Sequence, residues 1–111
     1  MLKYKLYLND VLRAINKIEN SLKGKTKETF SKDDNLVDAT SMRLQIIGES
    51  INKIPEDIKN KYKYDWEKLT KIRNIISHSY FKVNPELIWS LINEEIAPLK
   101  NQIKKIKEDL K

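Results

Sequence analysis

The chain has one histidine, in the stretch Arg73-Asn74-Ile75-Ile76-Ser77-His78-Ser79-Tyr80. Histidine gives and takes protons near neutral pH. Arg73, one of three arginines, presents a planar fork that holds phosphate through two hydrogen bonds. Ser77 and Ser79 can donate to phosphate oxygens. Tyr80 carries a hydroxyl that can bind a base or a phosphate, or accept a transferred group. On a regular helix five residues turn about 140°. Arg73 and His78 therefore flank a shared edge, and meet only if the helix end unwinds or a second copy completes the site. Asn74 and His78 are one turn apart and can face the same way. With one His per chain, a two-proton cleavage needs the His of a second subunit or a water. That argues for a symmetric dimer with both sites near its axis. A structural reading stands beside this one. Arg and His near a helix C-terminus also stabilise the helix dipole, Arg73 can serve as a surface ion-pair partner, and Tyr80 can plug a gap beside Phe81. Spacing alone does not establish an enzyme.

The elements that must position these residues follow from apolar spacing. A first helix is expected from about Lys3 to Lys23, with Leu8, Val11, Ile15, Ile18 and Leu22 at spacings of three and four. Leu12 widens that stripe, and Gly24 is its stop. Residues 24–33 read as polar connection with Phe30 as the single anchor. A second helix starts at Asp33 or Asp34 and carries Leu36, Thr40, Leu44, Ile47, Ile51 and Ile54 up to Pro55. Met42, Ile46 and Gly48 fall off that line, so this helix is packed on more than one side. Gly48 costs about 1 kcal/mol against Ala in a helix interior, which a close helix approach there would explain. Residues 56–64 read as a short helical turn or loop. A third helix begins around Asp65, includes Trp66, Leu69, Ile72, Ile75 and Ile76, and ends near His78. A fourth starts with Asn84 as N-cap and Pro85 at its first position, and runs almost to the end through Ile88, Leu91, Ile92, Ile96, Leu99, Ile103, Ile106 and Leu110. A kink is expected at Pro98. The fold class is all-α: an antiparallel four-helix bundle with a short extra helical turn, in a single helical domain over residues 1–111. The apolar surface left on the second helix favours a homodimer.

Composition narrows the chemistry. The chain has 111 residues, and Leu, Ile, Val and Phe make up 32 of them, too rich for a disordered chain. Two Gly and three Pro leave few turns for a many-stranded fold. The absence of Cys removes disulfides, Cys-ligated zinc, iron–sulfur clusters and a thiol nucleophile. One His rules out a multi-His metal site within one chain, so no metal and no cofactor are expected. The net charge of +6 comes mostly from Lys, a weak pointer to nucleic acid. No apolar run approaches the roughly 18–20 residues that span a bilayer, and no signal-peptide core follows Met1. A soluble, cytoplasmic protein is expected, with no membrane partner. The clusters Lys59/Lys61/Lys63 and Lys100/Lys104/Lys105/Lys107 can guide RNA or form solvated faces, the second being favoured. Tyr62, Tyr64 and Trp66 can stack on bases, although packing is the favoured role for Trp66.

The triplet R-x-x-x-x-H-x-Y, here Arg73, His78 and Tyr80, resembles the signature of HEPN domains, most closely the HepT-like branch. Ile47-Gly48-Glu49 on the second helix, a Trp before the motif helix and the Asn-Pro-Glu-Leu-Ile-Trp opening of the fourth helix are similar to that family, and the resemblance covers nearly the whole chain. It implies a HEPN-like bundle and a toxin of a type VII toxin–antitoxin module, acting as a dimeric, metal-independent endoribonuclease. His78 would be general acid or base, and Arg73 would hold the scissile phosphate. Asn74, Ser77 and Glu49 would support the site. The product would be a 2′,3′-cyclic phosphate, and DNA would not be cut by that route. The partner implied is a minimal nucleotidyltransferase antitoxin, which would neutralise the toxin by transferring AMP to Tyr80. Two other readings stand beside this. One is a non-catalytic nucleotide- or RNA-binding partner of a nucleotidyltransferase. The other is a purely structural dimerisation bundle.

Overall fold

Helix α1 (Leu2–Leu22) is a product of its stripe: Leu8, Val11, Ile15 and Ile18 are fully buried, with Leu12 and Leu22 partly so. Each such side chain contributes about 1.5–3 kcal/mol on leaving water. Gly24 ends the helix in the left-handed region at φ 74°, where a Cβ is strained, and Lys25 N–H returns to the Leu22 carbonyl at 3.0 Å. The computed structural model describes residues 2–78 and 84–110 of the chain.

The connection after α1 is not a plain loop. It forms a short helix, α2 (Lys27–Lys32), nucleated by two threonines. Thr26 Oγ1 accepts from Thr29 N–H at 3.1 Å, and Thr29 Oγ1 accepts from Thr26 N–H at 2.8 Å. This reciprocal cap satisfies two amide donors that a six-residue helix would otherwise expose. The expected anchor holds: Phe30 is fully buried, its ring 5.4 Å from that of Trp89.

Helix α3 (Asp34–Asn52) is capped by Asp33, whose Oδ1 accepts from Leu36 N–H at 3.1 Å. It lies between α1 and α5 (Trp66–Ser77). Lys53 sits over the Tyr7 ring, and Arg43 reaches Lys17 and Ser21, so α1 and α3 run antiparallel. Gly48 meets Arg73, and Thr70 bonds Asn52, so α3 and α5 are antiparallel too. The long α6 (Pro85–Asp109) packs back on α1, with Lys100 bonded to Glu19 at 2.7 Å. Asn84 caps it as expected, its Oδ1 accepting from Glu86 and Leu87 N–H. The helix spans Pro98. Pro98 and Glu94 are both exposed, where water can serve the carbonyl that the proline cannot. The described residues form an all-α bundle without strands.

Between α3 and α5 lies α4 (Glu56–Lys59), the expected helical turn. Its single lysine departs from a solvated face. Lys59 is only 3% exposed. Its Nζ donates to the Ile51 carbonyl at 3.3 Å and to Glu56 at 3.1 Å. The Ile51 carbonyl also accepts from Ile54 N–H at 3.1 Å, and Lys59 takes the place of the i+4 donor that Pro55 lacks while complementing the dipole at the C-terminal end of α3. Trp66 Nε1 donates to the Lys59 carbonyl at 3.1 Å, which fixes the start of α5 against this turn.

Candidate active site

Helix α5 presents the chemical residues. Asp65 starts it, accepting from Lys68 N–H at 3.2 Å, and Leu69, Ile72 and Ile76 bury its inner face. That leaves Thr70, Arg73 and Ser77 on the edge toward α3. The Arg73 stem lies directly on Gly48: a Cβ added there would stand 2.7 Å from Arg73 Cβ and 3.2 Å from its Cγ. The glycine in mid-helix thus has the expected reason, a close helix approach, and what approaches is the candidate catalytic arginine. Arg73 Nε is buried and, among the described residues, has no hydrogen-bond partner. The Ser77 hydroxyl, one turn on, is also buried without a partner among them. Buried polar groups are normally satisfied, so an unmet guanidinium donor is a place where an acceptor belongs.

His78 is the C-cap of α5, and its N–H bonds the Asn74 carbonyl at 3.1 Å. Asn74 and His78 are both exposed, on the outer side of the edge that Arg73 occupies. The helix does not unwind to bring Arg73 onto the His78 face, so the two flank one edge as the spacing requires. Glu49 sits next to Gly48 on the exposed side of α3 and accepts from Gln45 Nε2 at 3.5 Å. It therefore stands level with Arg73, on the neighbouring helix. Tyr80, the expected AMP acceptor, lies outside the described residues, as does Ser79.

The aromatic cluster before α5 is committed to packing. Tyr62 O–H donates to Asp109 at 2.6 Å, and Tyr64 O–H donates to Glu95 at 3.0 Å. The bond to Asp109, with some burial, pushes the Tyr62 hydroxyl up to about 12. Burial, followed by the bond to Glu95, raises that of Tyr64. Both stay protonated and bonded at neutral pH. The Tyr64 and Trp66 rings pack at 4.9 Å. Sequence reading missed Thr40 as a polar group. It is fully buried, with a hydroxyl unpartnered among the described residues, but at its position in the stripe it read as a small core residue. Among the described residues no group of three or more His, Cys, Asp or Glu could hold a metal. None of the described helices is long and apolar enough to cross a membrane.

A family model described as Ribonuclease HepT-like matches residues 11–106, which include α5 and its Arg73–His78 pair. The chain belongs to the HepT-like ribonuclease family. Among curated relatives, a Methanocaldococcus jannaschii protein provisionally named both gamma-glutamylcyclotransferase and RNase is 37% identical over 107 residues, 96% of this chain. The match spans 48% of that relative, so this HepT-like chain corresponds to about half of its length. A protein of Caldanaerobacter subterraneus subsp. tengcongensis, provisionally named an RNase, is 35% identical over 101 residues, 90% of each chain. A protein of Thermococcus cleftensis named "Probable ribonuclease HepT" is 31% identical over 106 residues, 95% of this chain and 96% of its own. No solved structure matches.

Proposed function

We propose that this HepT-like chain is a metal-independent endoribonuclease, the toxin of a type VII toxin–antitoxin module, acting as a homodimer. One observation carries the reading: the buried, unpartnered Nε of Arg73, pressed over Gly48 at the edge that leads to His78. A cation with an unmet donor, on the face adjoining that of an imidazole, suits a phosphodiester. His78 takes the proton of the ribose 2′-hydroxyl, and the 2′-oxygen attacks phosphorus. The bond to the 5′-oxygen breaks, and that oxygen takes a proton from the second subunit's imidazole. The products are a 2′,3′-cyclic phosphate and a free 5′-hydroxyl. Arg73 neutralises the charge that grows on the phosphoryl oxygens. Asn74 and Ser77 support the site by hydrogen bonding, and Glu49 is its nearby acidic group on α3.

Neutralisation is AMP transfer from a nucleotidyltransferase antitoxin. The Tyr80 oxygen bonds the α-phosphorus of ATP, pyrophosphate leaves, and the hydroxyl proton passes to solvent. An anion two residues from His78 would block the cleft and repel RNA phosphate.

The test is cleavage of RNA by the purified chain in EDTA. His78→Ala should lower kcat by about 10²–10⁴-fold, and Arg73→Ala by about 10²–10³-fold, each with an unchanged circular dichroism spectrum. The product should carry a cyclic phosphate, and a deoxy substrate should survive. RNA binding without cleavage by the wild type would instead support the non-catalytic nucleotide- or RNA-binding reading. Intact mass after co-expression with the transferase reports any adduct on Tyr80.

A further inference from the structure

Two of the three arginines lie away from α5 and share one groove. It runs between α1 and α3, with a volume of about 350 Å³. Arg13 and Lys17 line one wall, Arg43 the other, and Ala14, Met42 and Ile46 supply apolar surface. Arg43 is held across the groove: its Nη1 donates to Ser21 Oγ at 3.2 Å and to the Lys17 carbonyl at 3.5 Å. That leaves most of its guanidinium donors for another acceptor. The only acid lining the groove is Asp10, 4.0 Å from Arg13 in an exposed pair. Such a pair is weak. Lys68 and Lys100, by contrast, are each held by a carboxylate at 2.6–2.7 Å. The groove therefore carries an excess of two positive charges over a floor whose Met42 is 61% exposed and Ile46 41% exposed.

We infer that this groove binds the single RNA strand that flanks the scissile phosphate, phosphates on Arg13, Lys17 and Arg43 and a base on Met42 and Ile46. The inference rests on the ribonuclease reading. Helix α3 links the two places, with Arg43 on its α1 flank and Gly48, under Arg73, on its α5 flank. Five residues along a helix about 10 Å wide put these flanks roughly 12 Å apart. One strand crossing the exposed side of α3 can reach both. Arg13 and Lys17 are a turn apart, spaced to take successive phosphates. Met42 is an adaptable surface for any base, so the grip is independent of sequence, as backbone-tracking sites are.

The experiment uses the full chain and two substrates, an RNA octamer and a dinucleotide too short to reach both places. Wild type should prefer the octamer. In Arg13→Gln/Lys17→Gln the octamer KM should rise toward that of the dinucleotide. Its binding, followed by anisotropy of a 2′-O-methyl octamer, should lose about 1.4 from the slope of log affinity against log salt. An unchanged slope and an unchanged octamer preference, with wild-type cleavage intact, would overturn the groove and leave the ribonuclease standing. Wild type that neither cuts nor binds RNA removes the ribonuclease first, and the groove with it. A variant that keeps RNA affinity but changes mass by light scattering, or loses the transferase, would assign the groove to a protein and overturn the inference.

Discussion

At the residue scale the position that decides most is Gly48. Alanine there has the better helix propensity by about 1 kcal/mol. Its Cβ would stand 2.7 Å from Arg73 Cβ and 3.4 Å from the Leu69 carbonyl, atoms fixed to a second backbone. They cannot swing away as the end of a long side chain can, so α3 and α5 must separate, at a cost of about 1–3 kcal/mol. Gly48→Ala should lower the urea midpoint by a net of about 1 kcal/mol of stability. Its cleavage should fall further than the lost folded fraction explains, because Arg73 moves with α5 and misplacement by about 1 Å can cost about 10²-fold. A midpoint equal to or above wild type would show that the two helices do not touch there. The sequence makes this glycine conspicuous, since it sits off the stripe in mid-helix. That Arg73 is what lies on it depends on how α3 and α5 pair across the α4 turn.

At the element scale the long helices were legible because each carries its own boundary chemistry: Gly24 after α1, Asp33 before α3, Asp65 before α5, Asn84-Pro85 before α6. Helix α2 was not, because its cap is a threonine pair rather than a Ser-x-x-Glu signature and it offers one apolar residue, too few for a period. The burial of Lys59 was equally hidden, since a lysine in a run of lysines reads as solvated. The docking of α6 on the start of α5 and the segment before it rests on Tyr62 to Asp109 and on Tyr64 and Lys68 to Glu95, the last at 2.6 Å. Lys68 is also raised, first by its bond to Glu95. All three groups hold their protons more tightly when folded. Their contribution is complete below the unfolded values, near 10. It is lost as pH climbs through the folded ones, about 12 for Tyr62. The urea midpoint of wild type should therefore fall between about pH 10 and about pH 12 more steeply than that of Tyr62→Phe/Tyr64→Phe. Parallel declines would mean that the tyrosine bonds add nothing to the docking.

At the scale of the whole molecule, the question is how one imidazole per chain would serve the two proton transfers of the proposed cleavage. Arg73 faces α3 while His78 ends α5 on its exposed side, so a single chain leaves the arginine and the imidazole on adjoining faces rather than opposed across a cleft. In the proposed homodimer, a second copy related by a two-fold axis along the outer side of α5 would supply the missing imidazole and turn two edges into one cleft. Ile75, 51% exposed on that outer side, is a suitable apolar contact at such an axis. A glutamate at this position would face its own copy across the axis, and two like charges brought together there repel. Ile75→Glu should therefore shift the light-scattering mass from dimer to monomer at low micromolar concentration. Because Ile75 lies outside the core, the helical signal should stay. Cleavage should fall with the dimer and recover in part at high protein concentration, where mass action restores pairing. Loss of activity in a variant that is still dimeric would place the axis elsewhere on the bundle. A monomer that cuts as fast as wild type would mean that water, not a second histidine, completes the proton transfer.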